Sequence, residues 1–195
     1  MRHSILSVAC SLAVLALASA TPAHAIDSEM LKVFTTTPPP EGTVHENPIP
    51  RENVAYDGPY SPGTILISTK ERRMYYVLPD GHAIKYGVGV GRPGFEWGGV
   101  KLISRKAEWP AWTPPPQMLR RRPDLPRHMA GGIDNPLGAR AMYLGSSLYR
   151  IHGSNEPDTI GQAVSSGCIR MTNDDVQDLY DRVHVGTKVV VLRND

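Results

Sequence analysis

At 195 residues the chain has room for one domain plus short extra segments, and a formal net charge of +2 gives no sign of a polyanionic partner. It carries no basic helix and no interleaved aromatic platform, so nothing argues for nucleic acid. Of its two cysteines, Cys10 and Cys168, the first lies in an apolar N-terminal run.

The first 25 residues read as an export signal: Arg2 and His3, then an apolar run from Ile5 to Ala18, then Ala23-His24-Ala25 as an A-x-A cleavage pattern. Ala18-Ser19-Ala20 is a weaker alternative site. The run is shorter than the roughly 20 apolar residues of a membrane span. A chain starting at Ile26 would lack Arg2 and no acidic residue, taking the net charge from +2 to +1. No later stretch is long and apolar enough to cross a bilayer. The expectation is an exported protein of the periplasm or cell envelope, with no stable membrane insertion after signal cleavage. Ala9-Cys10 hints at a lipoprotein, but most of the apolar run follows Cys10, whereas a lipidated cysteine would come after it. Loss of the signal leaves Cys168 unpaired, and a free thiol in an exported protein is a candidate reactive group.

Residues 26–60 are rich in Pro and Thr, with Thr35-Thr36-Thr37-Pro38-Pro39-Pro40 the clearest part, and read as an extended leader or linker. A domain is expected over 61–195. Gly63–Ser68, Met74–Leu78 and Ala83–Val90 read as three strands of a meander, with Pro79-Asp80-Gly81 as a turn. Gly91–Gly99 reads as a loop and Val100–Ser104 as a strand. From Glu108 to Pro126 the chain is dense in Trp and Pro. The run Pro114-Pro115-Pro116 argues against helix and central strand, so an ordered surface loop with buried Trp109 and Trp112 is expected. Arg120-Arg121-Arg122 reads as a solvated basic run. Met142–Leu144 and Tyr149–His152 are strand candidates. The best helix follows Thr172 or Asn173 as cap, with Asp174 and Asp175 in its first turn and Val176, Leu179, Tyr180 and Val183 on one face. Lys188–Leu192 reads as a terminal strand. The fold class is mainly β, a mixed sandwich or barrel-like domain with one α-helix near the C-terminus.

Chemistry concentrates in Ile151-His152-Gly153-Ser154-Asn155 and Ser165-Ser166-Gly167-Cys168-Ile169-Arg170-Met171. A thiol attacks carbonyls as the thiolate, and a nearby imidazole can take its proton. A strand ending in His152, a loop and a return segment would bring the two together across 16 positions. Gly167 permits a sharp turn and close substrate approach, so the N–H groups of Gly167 and Cys168 are candidates for an oxyanion site.

These residues resemble the signature of the L,D-transpeptidase (YkuD-type) family: a histidine, a gap of this length, then Ser/Thr-x-Gly-Cys, an aliphatic residue and Arg or Asn. The matching positions are His152, Ser165, Gly167, Cys168, Ile169 and Arg170. The resemblance extends over roughly Gly63 to Leu192, including Tyr86–Gly91, Asn135-Pro136-Leu137-Gly138 and Tyr149–His152. Ser166 stands where many members carry a second histidine, which bears on an orienting role there rather than on the Cys168–His152 pair.

The resemblance implies that Cys168 attacks the carbonyl between meso-diaminopimelate and D-Ala in a peptidoglycan tetrapeptide stem. D-Ala leaves, and an amine acceptor resolves the thioester. The acceptor would be another stem, giving a 3→3 cross-link, or an acceptor protein. His152 would act as base and then acid, with the Gly153 carbonyl orienting its ring. Carbapenems would acylate Cys168. No cofactor and no metal is implied.

Other readings stand beside these. Alone, Cys168 would be a buried structural thiol and His152 a strand-end histidine. A zinc site from His152, Cys168 and His184 lacks paired short-spaced ligands, and His184 fits a surface position at a helix end. For Arg170, carboxylate binding and loop bracing are both open. Ser165 and Ser166 suit local backbone hydrogen bonds, with Ser166 also a candidate substrate contact. Asn155 is a candidate for the donor site. Trp97, Trp109 and Trp112 would wall a groove or pack locally, while Tyr86 and Met142 read as core. Rival functions are an L,D-carboxypeptidase or amidase using water, and a peptidoglycan-binding module without catalysis.

Overall fold

Apolar and β-branched residues in short runs bounded by turn residues build most of the structure, a computed structural model in which residues 47–193 are described. The export signal, Cys10 and residues 26–46 of the leader lie outside the described residues. The three expected meander strands form as β2 (Ile65–Ser68), β3 (Arg73–Val77) and β4 (His82–Gly87), antiparallel in succession. Ahead of them, β1 (Glu52–Ala55) pairs antiparallel with β4. This corrects the leader boundary: four residues inside 26–60 are sheet. Asn47 Nδ2 also donates to buried Asp175 at 2.6 Å, and Arg51 pairs with the same carboxylate at 3.4 Å.

The remaining strands are β5 (Val90–Gly91), β6 (Gly99–Glu108), β7 (Arg140–Leu144), β8 (Arg150–His152), β9 (Ala163–Ser165), β10 (Ile169–Arg170) and β11 (Lys188–Leu192). Nine strands make one sheet in the order β1-β4-β3-β2-β11-β6-β7-β8-β10, and β5 pairs with β9 separately. β6 is longer than its apolar stretch suggests. Its first part pairs with β11, and its second part, past a register shift between Ile103 and Arg105, pairs with β7. A shift of this kind bends and twists a strand, so β6 carries the sheet around a curl of half-barrel form.

The core lies inside that curl. Ile65, Ile67, Met74 and Tyr86 meet Ile103, Met142, Leu144, Ile151 and Ile169 there. Tyr86 and Met142 are fully buried, as expected. Strand alternation sends Val189 and Val191 of β11 into this core and Val190 to a smaller outer cluster with Leu66 and Val77, which Tyr56, Tyr60 and Tyr75 flank.

Two helices are present, α1 (Pro116–Arg121) and α2 (Asn173–Arg182), with a 3-10 turn at Pro157–Thr159. α2 is the expected helix. Thr172 caps it by accepting from the Asp175 N–H at 3.2 Å, and Val176 and Leu179 are buried. Its last turn is held by Lys106, whose Nζ donates to the carbonyls of Tyr180 and Val183, each at 2.6 Å.

α1 corrects the reading of Glu108–Pro126 as loop. Pro116 occupies the first turn, where no N–H is needed and the fixed φ already suits a helix. Trp109 is also 42% exposed rather than buried. Among the described residues no helix is long and apolar enough to cross a membrane.

Candidate active site

β8 and β10 run parallel, with Ile169 opposite Ile151 and Arg170 opposite His152. Met171 N–H donates to the His152 carbonyl at 2.9 Å, which locks this register. One step back along the ladder, Cys168 falls opposite Arg150, with His152 on the diagonal. Residues two apart on a strand share a face, so Arg150 and His152 point the same way, as do Cys168 and Arg170. All four line one cavity of about 390 Å³, with Tyr149 and Trp112 among the other walls.

His152 is buried, and its Nδ1 lies 2.6 Å from the Gly153 carbonyl oxygen. A carbonyl only accepts, so Nδ1 carries the proton and Nε2 is left as the basic nitrogen. Burial holds the His152 pKa down to about 3; the Gly153 carbonyl opposes this, and the charges of Arg170 and Arg150 add to it. The Gly153 position cannot take a larger residue, because a Cβ there would run into Asn173 Oδ1, which already accepts from the Ala139 N–H at 2.9 Å.

Burial also pushes the Cys168 thiol up, while the charge of Arg150 and hydrogen bonds from its backbone and side chain pull it down, as does Arg170. Sγ donates to the Leu148 carbonyl at 3.7 Å. Cys168 and His152 line one cavity, and no hydrogen bond joins their side chains among the described residues.

The turn before Cys168 is tightly determined. Ser165 Oγ donates to the Cys168 carbonyl at 2.6 Å and accepts from the Gly167 N–H at 3.0 Å. Gly167 has φ of 105°, and a Cβ there would lie 2.6 Å from the Tyr149 ring. Trp97 Nε1 donates to the Gly167 carbonyl at 2.7 Å while its ring stacks on Tyr149 at 4.6 Å. This revises the oxyanion expectation. The Gly167 N–H is engaged by Ser165, whereas the Cys168 N–H has no acceptor among the described residues.

The expected substrate contacts divide. Arg170 Nη1 donates to Glu156 at 2.8 Å, so its guanidinium braces the 156–159 loop while still lining the cavity. Asn155 is exposed, donates to the Asp134 carbonyl at 3.0 Å and lines an adjoining cavity of about 500 Å³ rather than that of Cys168. Ser166 lines both cavities and accepts from Arg92 at 3.3 Å, a side-chain partner rather than local backbone. His184 is exposed, and its Nδ1 lies 2.9 Å from the Val185 carbonyl oxygen. Sequence reasoning passed over Arg150, Tyr149 and Arg121, all cavity-lining. The spacing Arg-x-His on a strand was the available signal for Arg150.

A family model for the L,D-transpeptidase catalytic domain (YkuD) matches residues 62–191. The chain belongs to this family. The probable L,D-transpeptidase ErfK/SrfK of Escherichia coli (strain K12) is 42% identical over 137 residues, covering 66% of this chain and 43% of that protein. The chain thus spans less than half the length of this curated relative. Among solved structures, an L,D-transpeptidase from Mycobacterium smegmatis superposes with a TM-score of 0.54 at 17% identity, covering 67% of this chain and 58% of that one. The catalytic domain of the E. faecium L,D-transpeptidase acylated by ertapenem does so at 0.52 and 20% identity, covering 69% of this chain and all of that one. These two likenesses establish the fold.

Proposed function

We propose that the protein is an exported peptidoglycan L,D-transpeptidase with Cys168 as nucleophile. The β8–β10 register supports this most directly, because Cys168 lies one step before the Ile169–Ile151 pair, diagonal to His152, and both residues line one cavity. On attack the thiol proton passes to His152 Nε2, and sulfur bonds to the carbonyl carbon between diaminopimelate and D-Ala. The oxyanion develops toward the Cys168 N–H. Collapse of the adduct breaks the C–N bond, and His152 returns its proton to the departing D-Ala amine. An amine acceptor, from a second stem or a protein, then releases the acyl group from Cys168.

The unprotonated Nε2 can take the proton that attack releases, and burial, which disfavours the imidazolium, favours its prompt return to the departing amine. Arg121, Arg150 and Arg170 face a cavity that no acidic residue lines among the described residues, which suits a donor stem rich in carboxylates. By the same chemistry Cys168 is the expected site of carbapenem acylation, as the ertapenem-acylated E. faecium relative exemplifies. The test is incubation of the protein with a disaccharide-tetrapeptide, followed by mass analysis of products. A 3→3 dimer supports the transpeptidase. A shortened stem alone, in the presence of excess amine acceptor, would show a hydrolase instead.

A further inference from the structure

Arg150 stands apart from the other cations around the thiol. It sits on β8 between two neighbours: Tyr143 opposite it on β7, with the guanidinium 5.2 Å from the ring centre, and Cys168 on the β10 side. Its Nε is buried and has no hydrogen-bond partner. Arg170, the other arginine acting on the thiol, is engaged by Glu156. Arg150 has no carboxylate partner among the described residues, and the cavity it shares with Cys168 is lined by Arg121, His152 and Arg170 but by no acid. Arg150 as a whole is half-buried, but its buried Nε lacks a partner, which is costly, and the Cys168 sulfur is the group across the ladder that becomes an anion on deprotonation at the lowest pH.

We propose that Arg150 is the counter-charge of the Cys168 thiolate, holding the sulfur for attack while His152 takes and returns the proton. This rests on the reading of Cys168 as nucleophile. It also divides two tasks commonly joined in one histidine. His152, desolvated and flanked by two arginines, is poorly placed to remain protonated beside a thiolate. A guanidinium keeps its charge at every working pH and supplies the anion's partner without exchanging a proton.

The experiment is the pH dependence of Cys168 alkylation by iodoacetamide on the full chain, with peptide mapping to separate Cys168 from Cys10. Arg150→Met and Arg150→Gln remove the charge; Arg150→Lys keeps it. The expected result is an upward shift of the alkylation midpoint by about one unit in the two neutral variants, about tenfold slower reaction at neutral pH, with Arg150→Lys near the parent. Should Arg150→Met fail to fold by circular dichroism, Gln against Lys carries the comparison. An unchanged midpoint in folded Arg150→Gln, or an equal shift in Arg150→Lys, overturns the proposal. The midpoint is read without substrate, so it stands whatever the donor experiment gives. Absence of an acyl-enzyme from the parent and a tetrapeptide overturns the transpeptidase reading instead.

Discussion

The two walls of the Cys168 cavity are built by different means. One wall is a parallel ladder: β8 and β10 fix Arg150, His152, Cys168 and Arg170 by backbone register, over a core in which Ile151 and Ile169 are almost fully buried. The other wall comes from residues 112–137, where Trp112, Met118 and Arg121 reach the cavity from a Pro-rich segment with one six-residue helix. That segment is held by discrete ties: a bridge between Trp112 and Met129, and buried Asn135, whose Nδ2 donates to the Ala130 carbonyl and whose Oδ1 accepts from the Leu137 N–H. Register places chemistry with little tolerance, and tied loops place recognition with more. Changes in the ladder wall should therefore act on turnover, and changes in the loop wall on binding.

The largest effect short of removing the nucleophile is expected from His152→Gln, which takes away the proton acceptor and should slow acylation about 10²–10⁴-fold with little change in KM. Single-turnover acylation measures this, and a rate within threefold of the parent would remove His152 from the mechanism. Gly167→Ala should come next. It forces a Cβ against Tyr149 at a positive φ, so thiol alkylation and acylation should both fall roughly tenfold or more while the domain stays folded. Equal activity in the alanine variant would show that this turn tolerates movement.

Asn135→Ala should leave Ala130 and Leu137 backbone groups without partners and cost about 1–3 kcal/mol of unfolding free energy. Its larger kinetic effect should be on KM, because the loop wall loosens while the ladder does not. A denaturant midpoint equal to the parent's would show that the loop is held elsewhere. Arg121→Ala, the mildest change, should raise KM for the tetrapeptide a few-fold at constant kcat. A fall in kcat without a change in KM would break the division between the walls.

Acid stability sharpens the same comparison. His152 has a folded pKa of about 3 against the ordinary 6.5. Between those values the unfolded chain binds a proton that the folded chain does not. Stability therefore rises with pH across this window and is lost as pH falls from 6.5 toward 3, by up to about 1.4 kcal/mol per unit. Denaturant titrations at several pH values should show a shallower acid loss for His152→Gln. Parallel curves for both proteins would contradict a buried neutral histidine.

The legible parts of the sequence were those with long or chemically distinctive signals. The β2–β4 meander shows as three short apolar or β-branched runs bounded by turn residues, α2 carries a cap, acidic first turn and apolar face, and Cys168 with His152 sits in a specific motif. β5, β9 and β10 are two or three residues each, too short for periodicity to register. The β8–β10 pairing is a tertiary fact that no local pattern states. Pro116 misled because proline excludes a helix interior but not a helix start. β1 was absorbed into the polar leader because its residues are mostly exposed at a sheet edge. The Gly167 N–H looked available only because its partner, Ser165 Oγ, was visible as a residue but not as a geometry.

The central claim is that the ladder wall makes Cys168 an acylating nucleophile. Its most direct measurement is the intact mass of the protein after mixing with a disaccharide-tetrapeptide donor. The expected result is an adduct equal to the donor less D-Ala, mapped to Cys168 and absent from Cys168→Ala. A parent protein that binds donor and shows no adduct under rapid quench, or an adduct that persists in Cys168→Ala, would contradict it.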